Sequence, residues 1–131
     1  LAFAISMLRH IPAASQEVIG GIWRQHIGRQ LTGKIFGIIG CGSVGKDLVE
    51  LLKPFDCKIL VYDIVYYKEF YEFWGIQALG LRELLSVADI ITLHVPINSE
   101  TTNLLSREKL ALTKLSSALI VFITSSASFS I

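Results

Sequence analysis

The stretch KIFGIIGCGSVGKDLVELLKPF, residues 34–55, restricts this chain more than any other part of it. Residues 34–39 are mostly apolar and of strand length, as in a strand covered on both faces. They run straight into Gly40-Cys41-Gly42-Ser43-Val44-Gly45. From residue 42 to 53 the spacing predicts a helix. Val44, Leu48, Leu51, Leu52 and Phe55 form its apolar stripe, and Lys46, Asp47, Glu50 and Lys53 its other face. Pro54 marks its end. A strand that turns through glycines into a helix builds one half of a parallel βαβ unit.

Each glycine has its own physical job if the turn receives a dinucleotide. Gly40 permits the tight turn out of the strand. Gly42 has no Cβ, so a pyrophosphate can approach the backbone. Gly45 lets helix and strand pack closely. The helix start offers free N–H groups and a partial positive charge to phosphate oxygens. Ser43 adds a hydroxyl donor. An acid at the end of the next strand is the second sign of such a site, and Asp63 closes the run KILVYD. Its carboxylate can accept hydrogen bonds from ribose hydroxyls and would repel a 2′-phosphate, which favours NAD over NADP. The plainer alternative is a turn with glycines for geometry alone and Asp63 as a solvated acid.

The rest of the chain continues the alternation. Residues 1–10 read as an apolar helix broken by Pro12, and 15–27 as a second helix with Val18, Ile19, Ile22 and Trp23 at helical spacing. Strands are expected at 58–62, 76–79, 89–95 and 118–123. Helices are expected at 66–74, 81–87 and 106–115, the first ended by Gly75 and the last capped by Ser106 with Glu108 in its first turn. Strands and helices in alternation argue for an α/β fold: a doubly wound, Rossmann-type parallel sheet flanked by helices, in a single domain.

Composition supports this and excludes other classes. The 131 residues suit one domain, 52% are hydrophobic and 18% charged, which fits a heavily buried sheet and not a disordered chain. A formal net charge of +1 without a clustered basic face argues against nucleic acid. LAFAISML at 1–8 and ALIVFI at 118–123 are too short to span a bilayer, so no membrane partner is expected. Cys41 and Cys57, with His10, His26 and His94 scattered, give no metal-ligand spacing. The two thiols read as reduced and the compartment as cytoplasmic. Cys41 lies at a helix start that can lower a thiol pKa, but a small residue filling space is the simpler reading.

These motifs together resemble the cofactor domain of the D-isomer-specific 2-hydroxyacid dehydrogenases. The resemblance covers essentially residues 1 to 121 and rests on RQLTGKIFGIIGCGSVGKDLVELLKPF, KILVYD, LRELLSVADIITLHVPINSETTNLLS and REKLALTKL. The run ADIITLHVPINSETTNLL is the most specific, because generic dinucleotide folds lack it. The resemblance implies that Ser43 and Val44 contact the pyrophosphate and that Asp63 binds the adenosine ribose. Val95 and Pro96 would line the adenine or ribose pocket, and Thr101 would reach the phosphates or the nicotinamide ribose. His94 stands beside them at the strand end and is grouped with them, without a catalytic role. A histidine satisfied by backbone, and a proline that merely stops the strand, are the plainer readings of His94 and Pro96. The segment LAFAISMLRHIPAASQEVIGGIW resembles the long helix that leads in from a substrate domain and packs across a dimer interface. Residues 1–30 are accordingly expected to be lead-in helices and 31–131 the dinucleotide-binding domain, with Phe3 and Trp23 in the core. A homodimer is a further expectation.

The chain departs from the family at one point. Family members carry an arginine after the fifth strand, in a pattern like INTARGG, to bind the substrate carboxylate. They also carry a histidine acid–base, oriented by a carboxylate, further along. Here the corresponding place reads VFITSSASFSI, with Ser125 or Ser126 where the arginine would stand. A serine cannot replace a guanidinium fork. No catalytic residue is therefore assigned. The reading is an NAD-binding domain of a hydride-transferring oxidoreductase, incomplete at its C-terminus, acting on a 2-hydroxy or 2-oxo acid only where the remaining segments are supplied. The alternatives are a non-catalytic NAD(H)-binding or dimerisation module, in the manner of a corepressor or truncated isoform, and a degenerate product without function.

Overall fold

The computed structural model of the chain describes residues 1–114 and 118–121. Its centre is a five-stranded parallel sheet in the order β3-β2-β1-β4-β5, formed by Ile35–Ile39 (β1), Lys58–Tyr62 (β2), Gln77–Ala78 (β3), Ile90–Leu93 (β4) and Ala118–Val121 (β5). In register, Ile39 lies beside Tyr62 on one side and Leu93 on the other. The chain builds β1, β2 and β3 outward in one direction, then returns to place β4 on the other side of β1. That reversal opens a crevice at the carboxyl ends of β1 and β4.

Side chains alternate across β1 with period two, so each face feeds a separate core. On one face Phe36 and Ile38 pack with Ile59, Val61 and Ile90 beneath the helix Ser43–Leu52 (α3), whose Leu48, Val49 and Leu52 are buried. Ala4 of the helix Ala2–Leu8 (α1) and Tyr71 of Lys68–Trp74 (α4) join this cluster. On the other face Ile39, Leu60, Ile91 and Leu93 pack against Leu81, Leu84 and Leu85 of Leu81–Val87 (α5). Gly37 permits that contact, because a Cβ there would lie 2.7 Å from Leu84 Cδ2. Helices cover both faces, as the alternation of elements predicts.

The stripe on α3 is narrower than its spacing predicts. Gly45, Leu48, Val49 and Leu52 are buried, whereas Val44 and Leu51 face outward. The N-terminal segment differs more. The second helix, α2, runs Ile11–Ile19 and not 15–27, and Pro12 opens it instead of breaking the one before. Proline suits a first helical turn, where its missing N–H has no partner to lose. His10, at φ 54°, makes the left-handed bend between α1 and α2, so the segment is two short helices and not one long one. Residues 20–34 form no regular element. Trp23 and Phe3, expected in the core, are 92% and 61% exposed. Glu17 ties the arm together by accepting from His26 Nε2 at 2.8 Å and pairing with Arg24 at 3.5 Å.

Near the other end, α6 is the single turn Arg107–Leu110, shorter than predicted, with the Ser106 hydroxyl accepting from the Lys109 N–H. Asp89, just before β4, ties this end to the sheet. It accepts from the Ile35 N–H and from Lys114 Nζ, each at 2.9 Å. Burial alone would raise its pKa; those two donors and Lys34 hold it below the usual carboxylate value. β5 contains the first part of the strand expected at 118–123. Ser125 and Ser126 lie outside the described residues.

Candidate functional site

The crevice at the switch point is a cleft of about 310 Å³ lined by Gly40, Gly42, Asp63, His94, Val95, Pro96 and Thr101 among others. Three separate pieces of sequence thus converge: the glycine turn after β1, the acid after β2 and the segment after β4. Ser43, Val44 and Gly45 form the first turn of α3 directly behind the glycine turn.

The three glycines divide the geometric work. Gly40 has φ +92°, and a Cβ there would lie 2.4 Å from the His94 carbonyl oxygen. Its N–H donates to the Tyr62 carbonyl at 2.8 Å, and the His94 N–H donates to the Ile39 carbonyl at 2.7 Å, which draws the tips of β1, β2 and β4 together. Gly45 is buried, and a Cβ on it would stand 2.3 Å from the Gly40 carbonyl oxygen. A Cβ on Gly42 would meet nothing within 4 Å. Gly40 and Gly45 are therefore demanded by the protein's own packing. Gly42 is not; its missing Cβ keeps open a space that faces the cleft at the N-terminus of the ten-residue α3. A cradle that a methyl group would fill, beside free helix N–H groups, fits a phosphate.

Asp63 closes the other wall. Its Oδ2 accepts from the Cys41 N–H at 2.5 Å and its Oδ1 from the Val65 N–H at 2.9 Å. Cys41 itself is fully buried, and burial first, with the Asp63 carboxylate, pushes its thiol pKa up against the lowering influence of Tyr71 and Lys46. The helix N-terminus does not activate this thiol; it fills space under the loop. The buried Tyr71 hydroxyl faces it without a hydrogen bond of good geometry to any described group, and burial pushes its pKa up too. His94 is held by the Thr92 hydroxyl, 2.9 Å from Nε2. Burial, then the N-terminal ammonium, lowers its pKa, so it is neutral at pH 7.

The third wall is self-supporting. Asn98 Oδ1 accepts from the N–H groups of Glu100 and Thr101 at 3.0 and 2.9 Å, and the Asn98 N–H donates to Thr101 Oγ1 at 2.9 Å. The Thr101 hydroxyl donates to the Pro96 carbonyl at 2.5 Å. Thr101 lines the cleft, but its hydroxyl is engaged in shaping the loop. Tyr62, Ile64, Asn98, Glu100 and Leu104 also line the cleft and were not singled out from sequence. The one readable sign was Asn98 three residues before Thr101, the spacing of a reciprocal side-chain cap.

A doubly wound parallel sheet with a glycine turn, a helix N-terminus and a strand-end acid around its switch point defines a dinucleotide-binding domain. The family described as "D-isomer specific 2-hydroxyacid dehydrogenase, NAD binding domain" matches residues 1–122. The chain belongs to that family, and its cofactor is NAD. It is 35% identical over 115 residues to the D-3-phosphoglycerate dehydrogenase of Bacillus subtilis, a match covering 86% of this chain and 22% of that protein. Among solved structures, it superposes on a D-lactate dehydrogenase from Aquifex aeolicus, complexed with NAD and lactic acid, with a TM-score of 0.86 and 28% identity. That match covers 92% of this chain and 37% of the other. The pyruvate reductase of Chlamydomonas reinhardtii gives 0.85 and 31%, covering 92% and 36%. The chain thus spans about a fifth to a third of the length of these relatives. Among the described residues no helix is long and apolar enough to cross a membrane, and no group of three or more ligating side chains could hold a metal ion.

Proposed function

We propose that the cleft seats NAD with its pyrophosphate over Gly40, Gly42, Ser43, Val44 and Gly45 at the start of α3 and its adenosine ribose on Asp63. Val95, Pro96 and Thr101 would bound the far wall, with His94 as a neutral neighbour. When bound, NAD supplies a nicotinamide that accepts or donates hydride, and the larger protein would use it on a D-2-hydroxy acid and the matching 2-oxo acid. In this reading residues 31–131 are the cofactor domain and residues 1–30 lead in from a substrate domain. Two free thiols, Cys41 and Cys57, suit a cytoplasmic protein.

The observation that carries the reading is the open space at Gly42, which shares one cleft with the Asp63 carboxylate. Among the described residues no lysine or arginine lines that cleft, so none of them would compensate a 2′-phosphate. The test is titration of the chain with NADH, followed by nicotinamide fluorescence, with NADPH in parallel. Saturable NADH binding at least tenfold tighter than NADPH is expected. A folded chain that binds neither would refute the assignment.

A dimer is the second reading, favoured by the apolar arm. Ile19, Trp23 and Ile27 are 77%, 92% and 87% exposed, an unusual concentration for a surface that meets only water. Sedimentation of the chain and of Trp23→Ser/Ile27→Ser tests this. Dimers in the parent and monomers in the variant are expected, and a monomeric parent at high concentration would exclude it.

A further inference from the structure

We infer that Asp63 is a positioning residue for the phosphate loop, and that this role is separate from any contact it makes with a ribose. The proposal rests on the reading of the glycine turn as a pyrophosphate seat. Its origin is one hydrogen bond between residues 22 positions apart: the Cys41 N–H donates to Asp63 Oδ2 at 2.5 Å. Cys41 is the residue between Gly40 and Gly42, so the carboxylate grips the turn at its midpoint. The other carboxylate oxygen is fixed by the Val65 N–H, which keeps Asp63 from swinging away. Charge assistance makes a carboxylate–amide bond stronger than a neutral one.

The loop has reason to need such a grip. Gly40, at φ +92°, and Gly42 on either side of Cys41 are conformationally permissive. The buried Cys41 side chain anchors the turn from the core side, but that packing leaves the orientation of its peptide N–H to a polar partner. The Asp63 bond fixes the peptide that presents Gly42 and the start of α3 to the cleft. The same carboxylate is also a negative charge beside a site for an anion. Its two effects on a phosphate ligand have opposite sign: removing the charge would tighten binding, and removing the grip would loosen it.

That opposition gives a test that ribose recognition cannot mimic. The probe is inorganic pyrophosphate, which has no ribose, titrated into the chain and followed by backbone amide NMR at Gly42, Ser43 and Val44. Asp63→Ala should weaken pyrophosphate at least threefold despite the lost repulsion, while Asp63→Asn, whose amide oxygen can still accept the Cys41 N–H, should bind as well as or better than the parent. In the unliganded chain, hydrogen exchange at the Cys41 amide should quicken at least tenfold in Asp63→Ala and stay near the parent rate in Asp63→Asn. Tighter pyrophosphate binding in Asp63→Ala, or unchanged Cys41 exchange, would overturn the proposal and leave the pyrophosphate seat standing. If the parent binds neither pyrophosphate nor NADH, the seat itself fails, whatever the exchange rates show.

Discussion

Replacing Gly42 and Gly45 by alanine should separate binding from folding. At Gly45 the new Cβ would stand 2.3 Å from the Gly40 carbonyl oxygen. Reaching an ordinary contact requires roughly 1 Å of movement between α3 and the end of β1. The opposing atom is backbone, and Gly40 is itself held by its bond to Tyr62, so it cannot simply rotate away. Overpacking of this kind costs about 1–3 kcal/mol, while alanine recovers up to about 1 kcal/mol over glycine in a helix. Because the clash is with backbone the cost falls at the upper end, about 3 kcal/mol, and a net loss of about 2 kcal/mol is expected, with NADH affinity falling as the loop shifts. At Gly42 the methyl would meet no protein atom within 4 Å and φ is −69°, so the backbone is unstrained. Alanine is a poorer N-cap than glycine but restricts the unfolded chain, and the two effects, each about 0.5–1 kcal/mol, largely cancel. The methyl does occupy the space left for a phosphate, so NADH should bind at least tenfold more weakly, about 1.4 kcal/mol. Urea unfolding and NADH titration of both variants make the comparison. Parent-like NADH binding by Gly42→Ala would refute the seat, and parent stability in Gly45→Ala would refute the packing argument.

Three further outcomes follow from buried groups. Tyr71→Phe removes a buried hydroxyl without a well-formed hydrogen bond and should leave stability equal or raise it by up to about 1 kcal/mol; a loss above about 1 kcal/mol would mean that the hydroxyl bonds the Cys41 thiol after all. His94, with its pKa lowered from 6.5, binds protons more readily in the unfolded chain, so its contribution to stability is complete above pH 6.5 and is lost as pH falls toward the folded value. The parent should therefore lose stability relative to His94→Gln in urea melts taken from pH 7.5 to 5.5, and parallel curves would contradict the burial argument. At pH 8 a thiol reagent should modify Cys57 slowly and Cys41 at least a hundredfold more slowly, both thiols reacting at once in denaturant; burial raises both pKa values but seals only Cys41.

How far the sequence could be read depended on the range of the interaction. The glycine turn was legible because the conformational demands on Gly40, Gly42 and Gly45 are set by the strand before and the helix after. Asp63 was legible because a strand end next to that turn must deliver its side chain to the same crevice. The face of α3 was less so, since Val44 and Leu51 obey helical spacing yet only the position of the sheet decides which side of the stripe is covered. Pro12 carried two opposite meanings, helix breaker and helix starter, and the bend at His10 chose between them.

By itself, then, the order of apolar runs, glycines and acids determined the doubly wound sheet and the kind of ligand its switch point receives, while the family came from the likeness of whole motifs such as ADIITLHVPINSETTNLL. The first two are consequences of local geometry repeated along the chain. Only the tertiary structure decided that Asp63 grips Cys41, that Ile64 and Glu100 line one cleft with Val95, and that Trp23 lies outside the core. Each of these depends on what comes to stand opposite a side chain once distant segments meet, and no spacing in the sequence records that.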